Sequence, residues 1–128
     1  MASTVPLTLK DAAKDLKIVE EGLPAIRERL VWVRQQGKLS DSIVLANGAD
    51  PNVGEPARLR AMLASCCEGI DYAISEIEKH TALVRAHLAK NSHALGEVPP
   101  AEIEASWGRF VSAFAHAQKE LNQLGRVL

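Results

Sequence analysis

The stretch from Pro56 to Leu95, PARLRAMLASCCEGIDYAISEIEKHTALVRAHLAKNSHAL, decides the fold of this chain. It contains no proline after Pro56 and a single glycine, Gly69. Its apolar residues recur at helical spacing. The main line is Leu63, Ile70, Ile77 and Val84, the interleaved line is Leu59, Cys66 and Ala73, and a third set widens the stripe: Cys67, Ile74 and Leu88. An apolar face this broad needs cover from more than one neighbour. The stretch therefore predicts a helix, from about 57 to 91, in the middle of a helical bundle.

The residues before this stretch carry the same seven-residue period in two lines: Leu9, Leu16, Leu23 and Leu30; Ala12, Val19, Ile26 and Val33. Both lines cross Gly22 and Pro24 without losing register. Either Pro24 ends one helix and begins another, or a single helix kinks there, and the unbroken period favours the kinked helix. Thr8 and Asp11 resemble a capping box at its start. Gly37 resembles a glycine cap at its end.

Turn-forming residues dominate the segment from about 38 to 56, which predicts a long loop after the first helix. The apolar patch from Ile43 to Leu45 is expected to fold over the bundle, although the segment could instead bind a ligand or a partner. Beyond Pro99-Pro100, the apolar period returns and predicts a third helix with two core lines: Ile103, Phe110, Ala117 and Leu124; Trp107, Phe114, Leu121 and Leu128.

These patterns together predict an all-α fold. Spacings of seven with three or four are typical of left-handed bundle packing. A short connection places the third helix antiparallel to the second. We therefore expect an elongated antiparallel three- or four-helix bundle with a long loop (about 38–56), formed as a single domain over residues 1–128.

Composition argues against several classes of function. The formal net charge is −1 and aromatic residues make up 4% of the chain, so a nucleic-acid partner is not expected. No stretch reaches the roughly 20 apolar residues of a membrane span, and the N-terminus lacks the pattern of a signal peptide. The adjacent Cys66 and Cys67 are expected to be reduced. Together these features predict a cytoplasmic protein without a cofactor.

A metal site is one alternative. If the second and third helices pair level around their short connection, Glu76 lies opposite His116, with His80 one turn away. A carboxylate and two imidazoles can bind zinc or iron. The paired Glu-x-x-His motifs of di-iron bundles are missing from the sequence, so boundary histidines bonded to carboxylates or water are the favoured interpretation.

A second alternative concerns Arg109 and His116, which are seven residues apart on the third predicted helix. An arginine followed within a few residues by a histidine, near the C-terminus, resembles the motif of HEPN-type ribonucleases. That resemblance implies a small helical bundle that acts as a dimer, with Arg109 and His116 acting on RNA phosphodiesters across a dimer cleft. The competing interpretation makes Arg109 a solvated helix residue and His116 a partly buried one.

Apolar residues off the core lines suggest a different activity. Ile18, Ala25 and Trp32 form a second line on the first helix, and Tyr72 lies off the stripe of the second. They belong either to a wider buried face, with Ile43 to Leu45 covering Trp32, or to a partner-binding surface, where tryptophan is common. Without a catalytic constellation, the sequence favours a non-enzymatic helical-bundle interaction protein that binds a protein partner or itself as a homo-oligomer.

Overall fold

Three long helices form the fold in the computed structural model, which describes residues 6–50 and 52–127, apart from the side chains of Ser40 and Val127. The helices are α1 (Leu9–Ala46), α2 (Gly54–Lys90) and α3 (Ala101–Val127), with one turn of 3₁₀ helix at Ser92–Ala94. All three pack against each other, and α2 and α3 pack most extensively. The predicted all-α bundle is confirmed, with three α-helices over the residues that the structure describes.

Two parts of the chain cap the N-terminus of α1 with hydrogen bonds. The Asp11 carboxylate accepts a hydrogen bond from the Thr8 backbone N–H at 2.8 Å, as the capping-box pattern predicts. The connection between α2 and α3 supplies two more acceptors, because Leu9 N–H donates to the Glu97 carbonyl and Lys10 N–H to the Leu95 carbonyl, at 2.9 and 2.8 Å. The free N–H groups of this helix end are thereby satisfied by another part of the chain.

The predicted long loop is wrong. Helix α1 passes through both Pro24 and Gly37 and ends at Ala46, so the connection to α2 spans only residues 47–53. Gly37 does not have the positive φ of a glycine cap. A glycine inside a helix costs only about 1 kcal/mol, and contacts beyond Gly37 help to offset this, because the Asp41 carboxylate pairs with Arg60 of α2.

The core follows the predicted lines closely. All eight predicted residues of α1 are buried, and Phe110, Ile70 and Ile77 are the largest fully enclosed side chains. Phe114 is only half-buried, and Leu128, which was also predicted for the core, lies outside the described residues. Of the two cysteines on the predicted apolar lines of α2, Cys67 lies in the core and Cys66 packs at its edge.

A row of four ion pairs joins α1 to α2 along one edge. The α1 members of these pairs are seven residues apart. The pairs are Glu20–Arg85, Arg27–Glu78, Arg34–Asp71 and Asp41–Arg60. We call this the ion-pair row. Because the partner numbers fall as the α1 numbers rise, the row runs along an antiparallel pair of helices.

The third helix does not extend over the whole length of the other two. Trp107 Nε1–H donates to Asp15 at 2.9 Å, and Arg29 Nη1 donates to Asn122 at 3.1 Å, so α3 runs parallel to α1. With this register, the last described turn of α3 lies level with about residue 35 of α1. The last part of α1 and the first part of α2 therefore form a two-helix arm. No helix in the described ranges is long and apolar enough to cross a membrane.

Candidate functional site

A line of exposed apolar residues runs along the outer side of α1. The exposed fractions of Ile18, Trp32 and Leu39 are 55%, 49% and 54%, and Ala25 is exposed between them. We call these four residues the outer apolar line. The sequence pattern identified its first three members; Leu39 was missed because it was assigned to a loop, although it stands seven residues after Trp32.

The outer apolar line borders the groove between α1 and α3. Three residues of α1 contact α3: Asp15, Gly22 and Arg29. Each of the first three members of the outer apolar line comes three residues after one of them. A step of three residues moves to a neighbouring face of a helix. On α3, the exposed Val111 follows Trp107 by four residues and lies level with Ile18. The surface therefore has apolar contributions from two helices.

The expected cover over Trp32 is wrong. Ile43 and Leu45 belong to the last turns of α1 itself and are exposed. At 1.5 Å per residue, Ile43 lies about 16 Å further along the same helix axis than Trp32, so it cannot fold back over the indole. Within the described residues, the outer apolar line is open to solvent.

Tyr72 lies elsewhere on the bundle. Its side chain is 68% exposed and shares a shallow surface groove with Glu76 of α2 and with Ala105, Gly108 and Arg109 of α3. A hydrogen bond with Glu76, and the negative charge of that carboxylate, raise the pKa of Tyr72. Tyr72 is therefore accessible, as predicted for a contact residue, but it belongs to the side of α2 and α3 rather than to the outer apolar line.

The proposed metal trio does not assemble. His80 is buried, and its Nε2 and Nδ1 atoms are already engaged by the Glu76 carboxylate at 2.9 Å and by Ser106 Oγ at 3.2 Å. His116 is exposed on α3. The predicted register places residue 112 level with His80. In the structure Ser106 lies there instead, because the last turn of α2 lies beside the connection and not beside α3. Over residues 6–50 and 52–127, no three His, Cys, Asp or Glu side chains come close enough to hold a metal ion.

The contact of His80 with Glu76 agrees with the favoured interpretation of a histidine bonded to a carboxylate, whereas its contact with Ser106 was not predicted. Hydrogen bonding by Tyr72, and then by His80, lowers the pKa of Glu76. In the tautomer that carries its hydrogen on Nε2, His80 donates a hydrogen bond to the Glu76 carboxylate and accepts one from the Ser106 hydroxyl at Nδ1. Ser106 carried no signal in the sequence, since its role depends on the register of α3 against α2.

Arg109 and His116 are both exposed on α3. Their spacing places them on one side of the helix, about 10 Å apart along its axis. Arg109 lies beside Tyr72 and Glu76, and the expected partial burial of His116 is not observed. Both side chains can therefore meet a ligand or a second molecule at the surface.

The cysteines have the character of structural thiols. Burial, followed by the nearby Glu120 carboxylate, raises the pKa of Cys66. Burial also raises the pKa of Cys67, although the Arg34 guanidinium acts in the opposite direction. A raised pKa keeps a thiol protonated and poorly nucleophilic at neutral pH.

The exposed apolar residues on α1 and α3 depart from the polar surface of an ordinary solvated bundle. These residues repeat at the spacing that a packed helix would need, and they carry no catalytic group. Comparison with known proteins finds no matching family model, no significantly similar curated protein and no significantly similar solved structure.

Proposed function

We propose that this protein is a non-enzymatic helical-bundle interaction protein, which binds a helix of a second copy or of another protein along Ile18, Ala25 and Trp32. The single observation that carries the proposal is the half-exposed indole of Trp32 in an apolar line that repeats every seven residues. A helix packed with the left-handed bundle geometry matches such a line over several turns.

The exposed side chains of the outer apolar line are large enough to stabilise a complex when they are covered. Covering apolar surface contributes about 25 cal/mol per Å², and tryptophan is among the side chains that dominate interface energetics. Glu21 and Glu28 flank the line on α1, together with Arg29, and would form a polar rim around it. Tyr72 offers a contact on the other side of the bundle, so an assembly that uses both would join at least two surfaces.

Sedimentation velocity over a hundredfold range of concentration tests self-association. We expect the wild-type protein to form dimers or larger oligomers, and Trp32→Ala to weaken association at least tenfold. Leu83→Ala is the matched control, because Leu83 is 49% exposed on α2, away from the outer apolar line. If wild type is monomeric throughout, a pull-down compared between wild type and Trp32→Ala tests a different protein partner; captured proteins that do not depend on Trp32 would contradict the proposal.

A HEPN-like ribonuclease that uses Arg109 and His116 is the second candidate, favoured by the exposure of both side chains on one side of α3. An assay of RNA cleavage with purified protein tests it, with His116→Ala as the variant and His93→Ala as the control, since His93 is also exposed. Activity lost only in His116→Ala supports this function. Absent activity, or equal activity in all three proteins, removes it.

A further inference from the structure

A cavity of about 220 Å³, open to solvent on one side, lies between the last part of α1 and the first part of α2. Its origin is the position of Gly37, which stands midway between Leu30 and Val44 on a core line of α1. A Cβ atom added at Gly37 would lie 3.5 Å from Leu63 Cδ1, an ordinary contact distance. The cavity therefore occupies the space that a large side chain would fill at this point of the helix interface.

The interior of the cavity is apolar. Val33 and Val44 of α1 and Leu59 and Leu63 of α2 form its walls. Apolar cavities of about 150 Å³ stay dry and bind benzene. By that comparison, this cavity holds about nine carbon-sized atoms, which corresponds to a short aliphatic chain and is far smaller than a helix of about 10 Å diameter.

The cavity mouth carries an excess of positive charge. Arg34, Lys38 and Arg60 line it, together with one carboxylate, Asp41. Arg34 is paired with Asp71, and Arg60 is held by Asp41 through Nε and Nη2 at 3.1 and 2.7 Å. The two arginines are thereby oriented and largely neutralised, so Lys38 supplies the surplus charge. This arrangement favours an anion at the mouth and disfavours a cation.

We propose that the cavity binds a small anionic amphiphile, an aliphatic monocarboxylate of about eight carbons, with its chain between α1 and α2 and its carboxylate near Lys38. The apolar walls match the chain, and the ammonium group of Lys38 matches the head group. This site opens between α1 and α2, beside the ion-pair row, and is independent of the outer apolar line. Its test therefore does not depend on whether the protein self-associates.

Sodium octanoate is the probe. For a ligand of this size, we expect a Kd on the order of 0.1 to 1 mM. At 5 mM octanoate, the melting temperature of the full chain should then rise by about 5 °C relative to equal sodium chloride. Octyltrimethylammonium chloride has the same chain and the opposite charge, and should produce a shift of less than about 1 °C.

Two variants separate specific binding from general adsorption on exposed apolar surface. Gly37→Leu fills the cavity and should abolish the shift, and its melting without ligand reports that it folds. Lys38→Gln should weaken octanoate binding about three- to tenfold by calorimetry, whereas Lys14→Gln, an exposed lysine elsewhere on α1, should leave it unchanged. If Gly37→Leu does not fold, Leu59→Trp fills the cavity from α2.

The proposal is overturned by any of three results: no shift in the wild-type protein, an equal shift in a folded cavity-filling variant, or equal binding of octanoate and octyltrimethylammonium.

Discussion

Gly22 and Gly108 are both glycines inside helices, but the surroundings of their Cα atoms differ. A Cβ added at Gly22 would lie 2.5 Å from Cζ of Phe114, whereas one added at Gly108 would meet nothing within 4 Å. The Phe114 ring thus packs directly on the Gly22 backbone, where α1 and α3 approach closely. Packing of Phe114 disfavours a Cβ at position 22, whereas at position 108 glycine is only a poor helix former.

Replacing these two glycines by alanine should have opposite effects. We expect Gly22→Ala to lower the free energy of unfolding by about 1 to 3 kcal/mol, because Phe114 must move. Gly108→Ala should raise it by about 0.5 to 1 kcal/mol through helix propensity. Urea unfolding followed by circular dichroism measures both, and a Gly22→Ala protein as stable as Gly108→Ala would contradict the close packing of Phe114.

The carboxylate of Glu76 should make stability depend on pH in the acidic range. Its pKa is lowered in the folded protein, so its ionised form stabilises the fold above the ordinary value of 4.5. This contribution is lost as the pH falls through the lower folded-state pKa. We expect Glu76→Gln to flatten the decline in melting temperature between about pH 5 and pH 3, measured by calorimetry.

Glu21→Gln is the control for this measurement, because Glu21 is an exposed glutamate of α1. An acid profile that is identical for wild type, Glu76→Gln and Glu21→Gln would show that the ionised Glu76 carboxylate does not contribute to stability.

At the scale of the helices, the effect of replacing Gly37 on stability distinguishes two descriptions of α1. As a cap with positive φ, Gly37 would resist replacement; as an interior helical residue, it should favour alanine. Since the structure has an interior residue with room for a Cβ, Gly37→Ala should raise the free energy of unfolding by about 0.5 to 1 kcal/mol. A loss of stability in urea unfolding would restore the interpretation that α1 ends there.

The ion-pair row should contribute to the choice of register between α1 and α2. Arg27→Glu places two carboxylates side by side and should cost about 0.5 to 1 kcal/mol, and the exchange Arg27→Glu with Glu78→Arg should recover most of it. The difference should shrink in 0.5 M sodium chloride, because both side chains are half-exposed. Equal stability of the single and double variants in low salt would mean that this pair contributes nothing.

For the molecule as a whole, self-association should change the environment of Trp32. In a Trp107→Phe background Trp32 is the only tryptophan, so its emission reports on the outer apolar line alone. We expect a red-shifted emission at low concentration and a blue shift as the protein concentration rises, with the midpoint found by sedimentation. Emission that is independent of concentration in an associating protein would place the interface elsewhere. Loss of the Asp15 hydrogen bond in this background requires a melting control.

The sequence predicted parts of the candidate site and missed others for identifiable reasons. Ile18, Ala25 and Trp32 stand at a fixed offset from the core lines of α1, so their common position on one side of the helix follows from helical periodicity. The sequence left open whether that side is buried or exposed, and the structure shows it exposed. Leu39 was missed because Gly37 was taken as a helix end. Two contacts depend on the register of α3 against its neighbours: that of Ser106 with His80 and that of Phe114 with Gly22. That register is set by the path of residues 91–100, which carry no periodic pattern.

The sequence by itself determined the class of fold and the buried face of each helix. Side chains seven residues apart share one face whatever lies beyond it, so Leu16, Ile77 and Phe110 could be placed in the core without coordinates. Only the tertiary structure decided where α1 ends, which residues lie level between helices, and where Gly37 leaves a cavity. These features depend on contacts between distant segments, and those contacts offset local preferences that differ by about 1 kcal/mol.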